Sequence, residues 1–385
     1  MVGPLWAEDG RRHDCKGGTC KDNIKQRKVL VTGAAGFVGQ KMLVEMQNRG
    51  YSDIRATDLF TPKNMPDGIE FIKSNVTDRK SLDDVMEGCH GVIHVADLFD
   101  FFAPWEKLYA VNVEGTRNIC ESAIDNKVKR MVRFSSGSIY KVGKNCNEHS
   151  LLDPIDPYAE SKIFGENVAS NYNGFYYGDD SFRIALLRPA VIFGEGGRYG
   201  AARIFMTQAL TAKLLGTKLL PGEGTFKGPY VHVDDVVGAA LHIYEKDEFT
   251  NSRNPADMAY NINADDAVSP LDIAEMAEVN VKKTGLAKLL QGHMPDIHVT
   301  RGIMEPVANA CAYAVKNLMK AGVLKKKPGA MLEPGEVDFM FIPGDLTMDN
   351  TKIRNRGYEL KHTCMGSMPD VMRWYDNQGY HKLLM

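Results

Sequence analysis

Residues 29–39 read Val-Leu-Val-Thr-Gly-Ala-Ala-Gly-Phe-Val-Gly, a short β-rich run followed at once by glycines. Gly33, Gly36 and Gly39 are three positions apart, and a helical pattern continues from them to about residue 49. A strand that turns through glycines into a helix lets the backbone pass close to a pyrophosphate, which the N–H groups at the helix start then bind. The stretch therefore predicts a dinucleotide site formed by these glycines with Phe37 and Val38.

The rest of the N-terminal half alternates between strand and helix patterns. The predicted strands are 28–32, 54–59, 71–74, 92–96, 130–135 and 183–189, and helical patterns over 78–87, 105–126 and 157–170 separate most of them. Such alternation gives βαβ units and a parallel sheet covered on both faces. We therefore expect a doubly wound α/β sheet of the Rossmann type. After about residue 190 the pattern becomes irregular, which predicts a smaller, mainly helical C-terminal substrate lobe packed on the sheet.

Composition and charge exclude several classes of protein. The 385 residues carry 47 Lys and Arg against 49 Asp and Glu, a balance that does not suit a nucleic-acid binder working by bulk charge. No apolar run is long enough to span a bilayer, and the N-terminus has no apolar signal core, which favours a cytoplasmic protein. The seven cysteines are sparse, and Cys15 and Cys20 lack a second ligand pair, so we predict reduced thiols and no metal site.

Asp58 ends the second predicted strand, nineteen residues after Gly39. An acidic side chain at this point can accept hydrogen bonds from both ribose hydroxyls of an adenosine, whereas it would repel a 2′-phosphate. Phe60, rather than an arginine, follows the strand. The sequence thus predicts NAD as the cofactor in preference to NADP.

Tyr158 and Lys162 are four positions apart in a segment that begins after Asp156-Pro157, a helix-start signal. On a helix the two side chains share a face, where the ammonium group favours the phenolate and lowers the pKa of the phenol toward the working range of a base. A second pair with the same spacing, Tyr140 and Lys144, lies in a glycine-containing stretch after the fifth strand. We expect that stretch to be a loop and the first pair to carry the chemistry.

Four small polar residues, Ser135-Ser136-Gly137-Ser138, follow the fifth predicted strand. Ligands of an open parallel sheet lie at the carboxyl ends of its strands. A serine hydroxyl in this place can bind the oxygen of a substrate and orient it toward the phenol of Tyr158.

Taken in order, these motifs resemble those of the extended short-chain dehydrogenase/reductase family. They are Thr-Gly-x-x-Gly-x-x-Gly at 32–39, the acidic end of the second strand, Phe-Ser-Ser-x-x-x-Tyr at 134–140 and Tyr-x-x-x-Lys at 158–162. Leu187-Arg188-Pro189 and Phe193-Gly194 look like the signature after the sixth strand, and residues 230–236 are similar to the segment that returns to the sheet. The resemblance covers about residues 28–265.

The resemblance implies roles for residues that spacing alone does not assign. Ser136, Tyr158 and Lys162 are implied as the catalytic set, and Asn112 as the helix asparagine that completes a proton path through water. NAD(H) is implied with its nicotinamide near Tyr158, and further cofactor contacts are implied at Asn75, Val76, Ala96, Pro189 and Val191. Substrate contacts are expected at Asp97, Phe101, Ser138 and Phe193.

The resemblance also divides the chain into parts. We expect residues 1–27 to form a flexible arm and 28–190 to form the NAD-binding domain, to which 231–265 return. Residues 191–230 and 266–385 are then the substrate lobe, and the protein is expected to be a homodimer. Two positions depart from the family: Asn75, where an aspartate near the adenine is frequent, and Asp97, where a second alanine is common.

Three stretches bear on the substrate. Members of the family that act on nucleotide sugars usually carry an arginine for the diphosphate just before Tyr-x-His-Val; here that position is Gly228, and the neighbouring Lys227 lacks a bidentate fork. Residues 98–105, Leu-Phe-Asp-Phe-Phe-Ala-Pro-Trp, are apolar where a pocket is expected to open. Apolar residues at helical spacing over 302–324, followed by lysines at 325–327, fit either a helix packed on the core or one resting on a membrane surface.

The combined prediction is an NAD-dependent oxidoreductase that interconverts a secondary alcohol and its ketone on a steroid-like or other lipophilic small molecule. The C-terminal part looks most similar to 3β-hydroxysteroid dehydrogenases and sterol-carboxylate dehydrogenases. Two alternatives stay open: a nucleotide-sugar 4-epimerase or dehydratase with tightly bound NAD, and a non-catalytic NAD(H)-binding sensor. The expected location is cytoplasmic, and peripheral membrane contact through 302–327 stays open as the alternative to a helix packed on the core.

Overall fold

A computed structural model describes residues 23–100, 103–178, 180–284, 287–288, 295–303, 306, 313 and 344–378. Its strands are β1 Val29–Thr32, β2 Ile54–Asp58, β3 Glu70–Lys73, β4 Gly91–His94, β5 Arg130–Phe134, β6 Phe175–Tyr177, β7 Asp180–Pro189, β8 Val191–Phe193, β9 Leu219–Pro221, β10 Tyr230–His232, β11 Ala259–Ile262 and β12 Ile297–Val299. Its helices are α1 Phe37–Asn48, α2 Ser81–Met86, α3 Trp105–Leu108, α4 Gly115–Asp125, α5 Pro157–Tyr172, α6 Ala201–Leu214, α7 Val233–Lys246, α8 Pro255–Met258, α9 Pro270–Asn280, α10 Thr351–Asn355 and α11 Cys364–Gln378.

The main sheet has the order β11-β7-β5-β4-β1-β2-β3, with all of these strands parallel and β6 added antiparallel to β7. The order runs outward from β1 in both directions, so the switch point of the doubly wound sheet lies between β1 and β4. Parallel strands end at the same edge, so the residues that follow β1, β4 and β5 meet there. These are the glycine loop, residues 95–99 and Ser135–Ser138.

Apolar side chains cover both faces of the sheet. On one face α1 and α7 contribute fully buried residues, namely Met42, Leu43, Met46, Val236, Ala240 and Ile243. On the other face α2 and α4 contribute Leu82, Val85, Met86, Ile119, Cys120 and Ala123. Burial of this kind is the main driving force for the fold and holds the strand ends in fixed positions.

A second core lies outside the sheet. It joins buried residues of α6, α9 and α11 to the short strands β8 and β10, and its members include Phe193, Phe205, Tyr230, Ile273, Met368 and Tyr375. The parallel pair of β8 with β10 links this lobe to the sheet, because β10 runs directly into α7. The lobe is thus built mainly from helices, and the expected division into residues 191–230 and 266–385 stays a prediction.

The α/β prediction is confirmed, with local differences. β7 begins at Asp180 rather than at 183, and the single helix expected over 105–126 contains a π-helical turn at Tyr109–Glu114 between α3 and α4. Residues 1–22, Phe101 and most of 302–327 lie outside the described residues, so the arm and the amphipathic segment stay predictions. Within the described part of the chain, each helix is too short or too polar to cross a membrane.

Candidate active site

The glycine loop follows β1, and two of its glycines have no room for a side chain. Gly33 has a φ of +68°, and a Cβ atom on it would lie 2.6 Å from the backbone nitrogen of Ala96. A Cβ atom on Gly39 would lie 2.1 Å from the carbonyl oxygen of Gly33. The loop is therefore a bare backbone surface at the start of α1, which fits a dinucleotide pyrophosphate.

Two side chains hold this loop in place. The Oγ1 of Thr32 is hydrogen-bonded to the Nδ1 of His94 at 2.8 Å. The same oxygen accepts a hydrogen bond from the Ala96 N–H at 3.1 Å. Asp58 ends β2 as predicted, and its Oδ2 accepts a hydrogen bond from the Ala35 N–H at 2.9 Å. The carboxylate of Asp58 thus stabilises the loop directly, in addition to the ribose contact that the sequence predicts.

Tyr158 and Lys162 lie on the same face of α5, as expected from their spacing. The helix begins with Asp156, whose side chain accepts a hydrogen bond from the Ala159 N–H at 2.7 Å, and Pro157 follows in its first turn. Both active-site side chains are buried, and the Lys162 ammonium donates to the Phe134 carbonyl at the end of β5, at 2.9 Å. The structure thereby brings α5 to the carboxyl edge of the sheet.

Asp97 lies against both of these side chains. Its Oδ2 accepts hydrogen bonds from the Tyr158 hydroxyl at 3.1 Å and from the Lys162 ammonium at 2.6 Å. Its buried Oδ1 has no hydrogen-bond partner among the described residues, so it can accept one from a substrate hydroxyl or a water. The predicted substrate contact at Asp97 is thus adjacent to the predicted base.

The electrostatics of Tyr158 differ from the sequence-based expectation. Burial and then the negative charge of Asp97 raise the pKa of Tyr158 well above its ordinary value, and Lys162 does not reverse this shift. Burial also lowers the pKa of Lys162, against the opposing effect of Asp97. The pKa of the Tyr158 phenol is thus shifted opposite to the direction that its spacing from Lys162 predicts, and Asp97, which accepts hydrogen bonds from both groups, is one cause of this shift.

Ser136 caps the short helical turn Gly137–Ile139 after β5, and Ser138 lies within that turn. The two hydroxyl oxygens are 2.8 Å apart, and the Ser136 Oγ also accepts a hydrogen bond from the Ser138 N–H at 3.1 Å. This turn fixes the Ser136 hydroxyl at the carboxyl edge of the sheet. Its role as the group that binds the substrate oxygen stays a prediction.

Asn112 lies in the π-helical turn before α4 and is buried. Its amide oxygen accepts a hydrogen bond from the Leu98 N–H at 2.8 Å, and its amide nitrogen donates to the Ser161 hydroxyl at 2.9 Å. Ser161 in turn donates to the Tyr158 carbonyl at 2.7 Å. Asn112 therefore connects the loop after β4 to the helix that carries Tyr158 and Lys162, and its part in a proton path stays a prediction.

The second tyrosine–lysine pair has no part in this arrangement. The buried Tyr140 hydroxyl donates to the Asn261 side chain at 2.7 Å and accepts from the Arg188 guanidinium at 2.9 Å. Lys144 is exposed and forms an ion pair with Asp345 at 3.0 Å. The two side chains contact different parts of the protein, as expected for a loop.

The remaining predicted contacts lie in several places. The Asn75 side chain accepts a hydrogen bond from the Thr77 N–H at 3.1 Å after β3, and Val76 beside it is buried. Pro189 and Val191 lie at the junction of β7 and β8. Phe193 is only 2% exposed and packs between Phe205 and His232 in the core of the lobe, so its predicted contact with substrate has little surface to use.

Two features of the site were not predicted. The Phe99 ring is 42% exposed and lies edge-on to the Tyr158 ring, with 5.0 Å between centroids. Arg133 and His94 are also buried; the charge of Arg133 helps to lower the pKa of Lys162, and the charges of Arg133 and Lys162 help to lower the pKa of His94. The sequence signal for Phe99 is its place in the apolar stretch 98–105 after β4. In that stretch the sequence analysis predicts the substrate contact at Phe101.

Comparison with known proteins gives this site a family. Residues 29–262 match the model of the NAD dependent epimerase/dehydratase family. The chain belongs to this family. The family is NAD dependent, so NAD is the cofactor, and the bare backbone of the glycine loop is the surface that fits it.

Individual relatives differ in substrate. The chain is 26% identical over 289 residues to dTDP-D-glucose 4,6-dehydratase of Dictyostelium discoideum, an alignment of 66% of this chain and 62% of that protein, less than two thirds of its length. It is 26% identical over 252 residues to sterol-4-alpha-carboxylate 3-dehydrogenase, decarboxylating, of Mus musculus, covering 64% and 67%. The fold is similar to that of dTDP-glucose 4,6-dehydratase DesIV from Streptomyces venezuelae, with a TM-score of 0.67, 19% identity and coverage of 92% and 99%.

Proposed function

We propose that the protein is an NAD-dependent oxidoreductase that interconverts a secondary alcohol and its ketone on a lipophilic molecule of steroid-like size. The observation that carries the proposal is Phe99. Its ring contacts the Tyr158 ring, and a Cβ atom on Gly200, just before α6, would lie 3.6 Å from its Cζ atom. A substrate that reaches the Tyr158 hydroxyl would therefore lie beside the Phe99 ring, which extends from the active site to the start of α6 in the substrate lobe.

The chemistry follows from three side chains of the chain itself. Tyr158 exchanges a proton with the substrate oxygen, Ser136 binds that oxygen, and Lys162 fixes the position and charge of the phenol. NAD held at the glycine loop would supply the hydride chemistry at the carbinol carbon. Burial of Tyr158 and Lys162 excludes water from the proton transfer.

The surroundings of Gly228 support a lipophilic substrate over a nucleotide sugar. Lys227, the cation nearest to this position in the sequence, binds the Asp272 carboxylate at 2.5 Å. Asp272 also accepts a hydrogen bond from the Ser269 N–H at the start of α9. Because Lys227 already has a carboxylate partner, it is poorly placed to bind a diphosphate as well.

A nucleotide-sugar 4-epimerase or dehydratase is the second candidate, and the match to a dTDP-glucose dehydratase favours it. An epimerase or dehydratase recycles its NAD and releases no NADH in steady state. We therefore propose to incubate the protein with NAD+ and, separately, with sterols, hydroxysteroids and UDP- or dTDP-sugars. NADH release with a lipophilic alcohol supports the proposal, whereas conversion of a nucleotide sugar without net NADH would replace it.

Two matched variants test whether the lipophilic substrate contacts the Phe99 ring. Phe99→Asp should weaken binding of the lipophilic ligand by at least about tenfold and leave NAD affinity unchanged, because it places a charge in an apolar contact. Phe175→Asp in β6 is the control, since Phe175 has a similar exposed fraction, 44% against 42%, but lies at the far edge of the sheet. Equal effects of the two substitutions would argue against a pocket at Phe99.

The preference for NAD over NADP is also a proposal, and it rests on Asp58. Asp58→Asn retains an oxygen that can accept the Ala35 hydrogen bond but removes the charge that would repel a 2′-phosphate. We expect this variant to narrow the NAD preference of the wild type with little loss of folding stability. A wild-type protein that binds both cofactors equally would show that Asp58 does not contact the ribose.

A further inference from the structure

Asp97 occupies a position where the family commonly has alanine, and it contacts both members of the catalytic pair. A single carboxylate oxygen accepts the hydrogen bond of the Tyr158 hydroxyl and that of the Lys162 ammonium. The positive charge of Lys162, which favours the phenolate, is thus opposed by the negative charge of Asp97. A carboxylate that accepts a phenolic O–H stabilises the phenol and opposes the phenolate.

We propose that Asp97 is an additional catalytic residue that keeps Tyr158 protonated at neutral pH, so that the site acts as a proton donor to a carbonyl group and is adapted to reduction. This inference rests on the proposed function and deepens it by assigning the protonation state from which the enzyme works. Alcohol oxidation then requires the minor, deprotonated form of Tyr158.

Other charged groups near the pair do not offset Asp97. Arg133 on β5 favours the phenolate, but its influence on Tyr158 is smaller than that of Asp97, and Asp156 at the start of α5 opposes the phenolate. Glu166, one turn beyond Lys162, accepts hydrogen bonds from two of the three nitrogens of the Arg188 guanidinium. Burial keeps His94 uncharged by lowering its pKa well below the ordinary value.

The reduction step balances with the groups named. The carbonyl carbon receives a hydride from NADH, the π electrons of the C=O bond move to oxygen, and that oxygen takes the proton of Tyr158. The resulting phenolate regains a proton from water. One ketone, one NADH and one proton are consumed, and one alcohol and one NAD+ are formed.

The phenol of Tyr158 can be titrated without cofactor or substrate. We propose to measure the ultraviolet absorbance of tyrosinate against pH in the wild type and in Tyr158→Phe, and to subtract the two curves. The difference should show Tyr158 ionising above about pH 10, the ordinary value for tyrosine. The same difference is then measured between Asp97→Asn and the double variant that also carries Tyr158→Phe. The midpoint of the Tyr158 titration should fall there by roughly one pH unit or more.

Glu160→Gln is the matched control, because it removes an exposed carboxylate from the same helix. It should leave the midpoint unchanged. A wild-type midpoint at or below neutral pH would overturn the proposal without any variant, as would an equal midpoint in the wild type and Asp97→Asn. These outcomes do not depend on the substrate, so they are distinguishable from a failure of the proposed function.

The pH dependence of the reaction gives a second test once an alcohol and its ketone are known as substrates. We expect kcat/KM for ketone reduction to be constant between about pH 6 and about pH 9, and that for alcohol oxidation to rise about tenfold per pH unit, because only the phenolate form is active in oxidation. In Asp97→Asn, kcat/KM for alcohol oxidation should become independent of pH at a lower pH, closer to neutrality, than in the wild type. Oxidation that is independent of pH across this range in the wild type would contradict the proposal.

Discussion

The chain contains two tyrosine–lysine pairs with the same spacing, and the structure places them in opposite surroundings. Tyr158 and Lys162 lie on one face of α5, are both buried and share a carboxylate oxygen. Tyr140 is buried against Arg188 and Asn261, while Lys144 is exposed. The same four-residue interval therefore produces two neighbouring side chains that share a partner on a helix and two unrelated side chains in a loop.

The difference shows that spacing gains meaning only from the backbone that carries it. Asp156 and Pro157 start α5 just before the first pair, and this helix aligns its side chains. The stretch from Tyr140 to Lys144 has an isolated bridge at Tyr140 and no helix. Activity and stability should consequently respond to the two tyrosines in opposite ways.

The largest effect is expected on turnover in Tyr158→Phe. This variant keeps the ring and its contact with Phe99 but removes the group that exchanges the proton, so turnover should fall at least about 100-fold. NAD binding should survive, because the glycine loop is untouched. Turnover assays on a substrate found by the screen, with NAD binding measured by calorimetry, test this; near-normal turnover would remove Tyr158 from the mechanism.

Tyr140→Phe should instead affect folding. The lost hydroxyl leaves the buried Arg188 guanidinium and the Asn261 side chain each short of one hydrogen bond, which costs about 1–3 kcal/mol of unfolding free energy. Burial raises the pKa of this phenol to about 12, so it stays neutral at working pH. Chemical denaturation measures the loss, and turnover per folded molecule should stay within about twofold of wild type.

Local patterns in the sequence were sufficient for the parts of the site that one segment carries. The glycine spacing at 33–39 and the helix start before Tyr158 each involve neighbours in the chain, and both were placed correctly. The acidic end of β2 follows from the same local logic.

Contacts between distant segments could not be predicted in this way. Asp97 meets Lys162 across 65 positions, and Lys227 meets Asp272 across 45. Their effects depend on how β4 ends against α5 and how the lobe folds back, which only the three-dimensional arrangement supplies. The raised pKa of Tyr158 depends on one such contact, because Asp97 is separated from Tyr158 by 61 positions in the chain.

The neighbourhood of Lys162 also predicts a pH dependence of stability. His94 is buried, and burial followed by the charges of Arg133 and Lys162 keeps its pKa well below the ordinary value. The unfolded chain takes up a proton on His94 below about pH 6.5, whereas the folded protein does not. Stability from this residue is therefore present above that pH and is lost as the pH falls, by about 1.4 kcal/mol per unit.

His94→Asn removes this proton uptake and retains a polar partner for Thr32. Unfolding free energies of the wild type and the variant, measured between about pH 5 and about pH 7, should converge toward the acid side. Parallel curves over that range would show that His94 becomes protonated in the folded protein.

The smallest effect is expected at Lys144. Its ammonium group lies mostly in solvent, with a side chain that is 73% exposed, and its partner Asp345 also accepts a hydrogen bond from the Lys227 N–H. Exposed ion pairs are screened by water and salt, so Lys144→Ala should leave turnover unchanged and lower the melting temperature less than Tyr140→Phe does. The same truncation at Lys162 leaves Asp97 without its cation and should reduce turnover at least about tenfold. Comparable losses in the two lysine variants would mean that the loop pair, and not only the helical pair, takes part in the reaction.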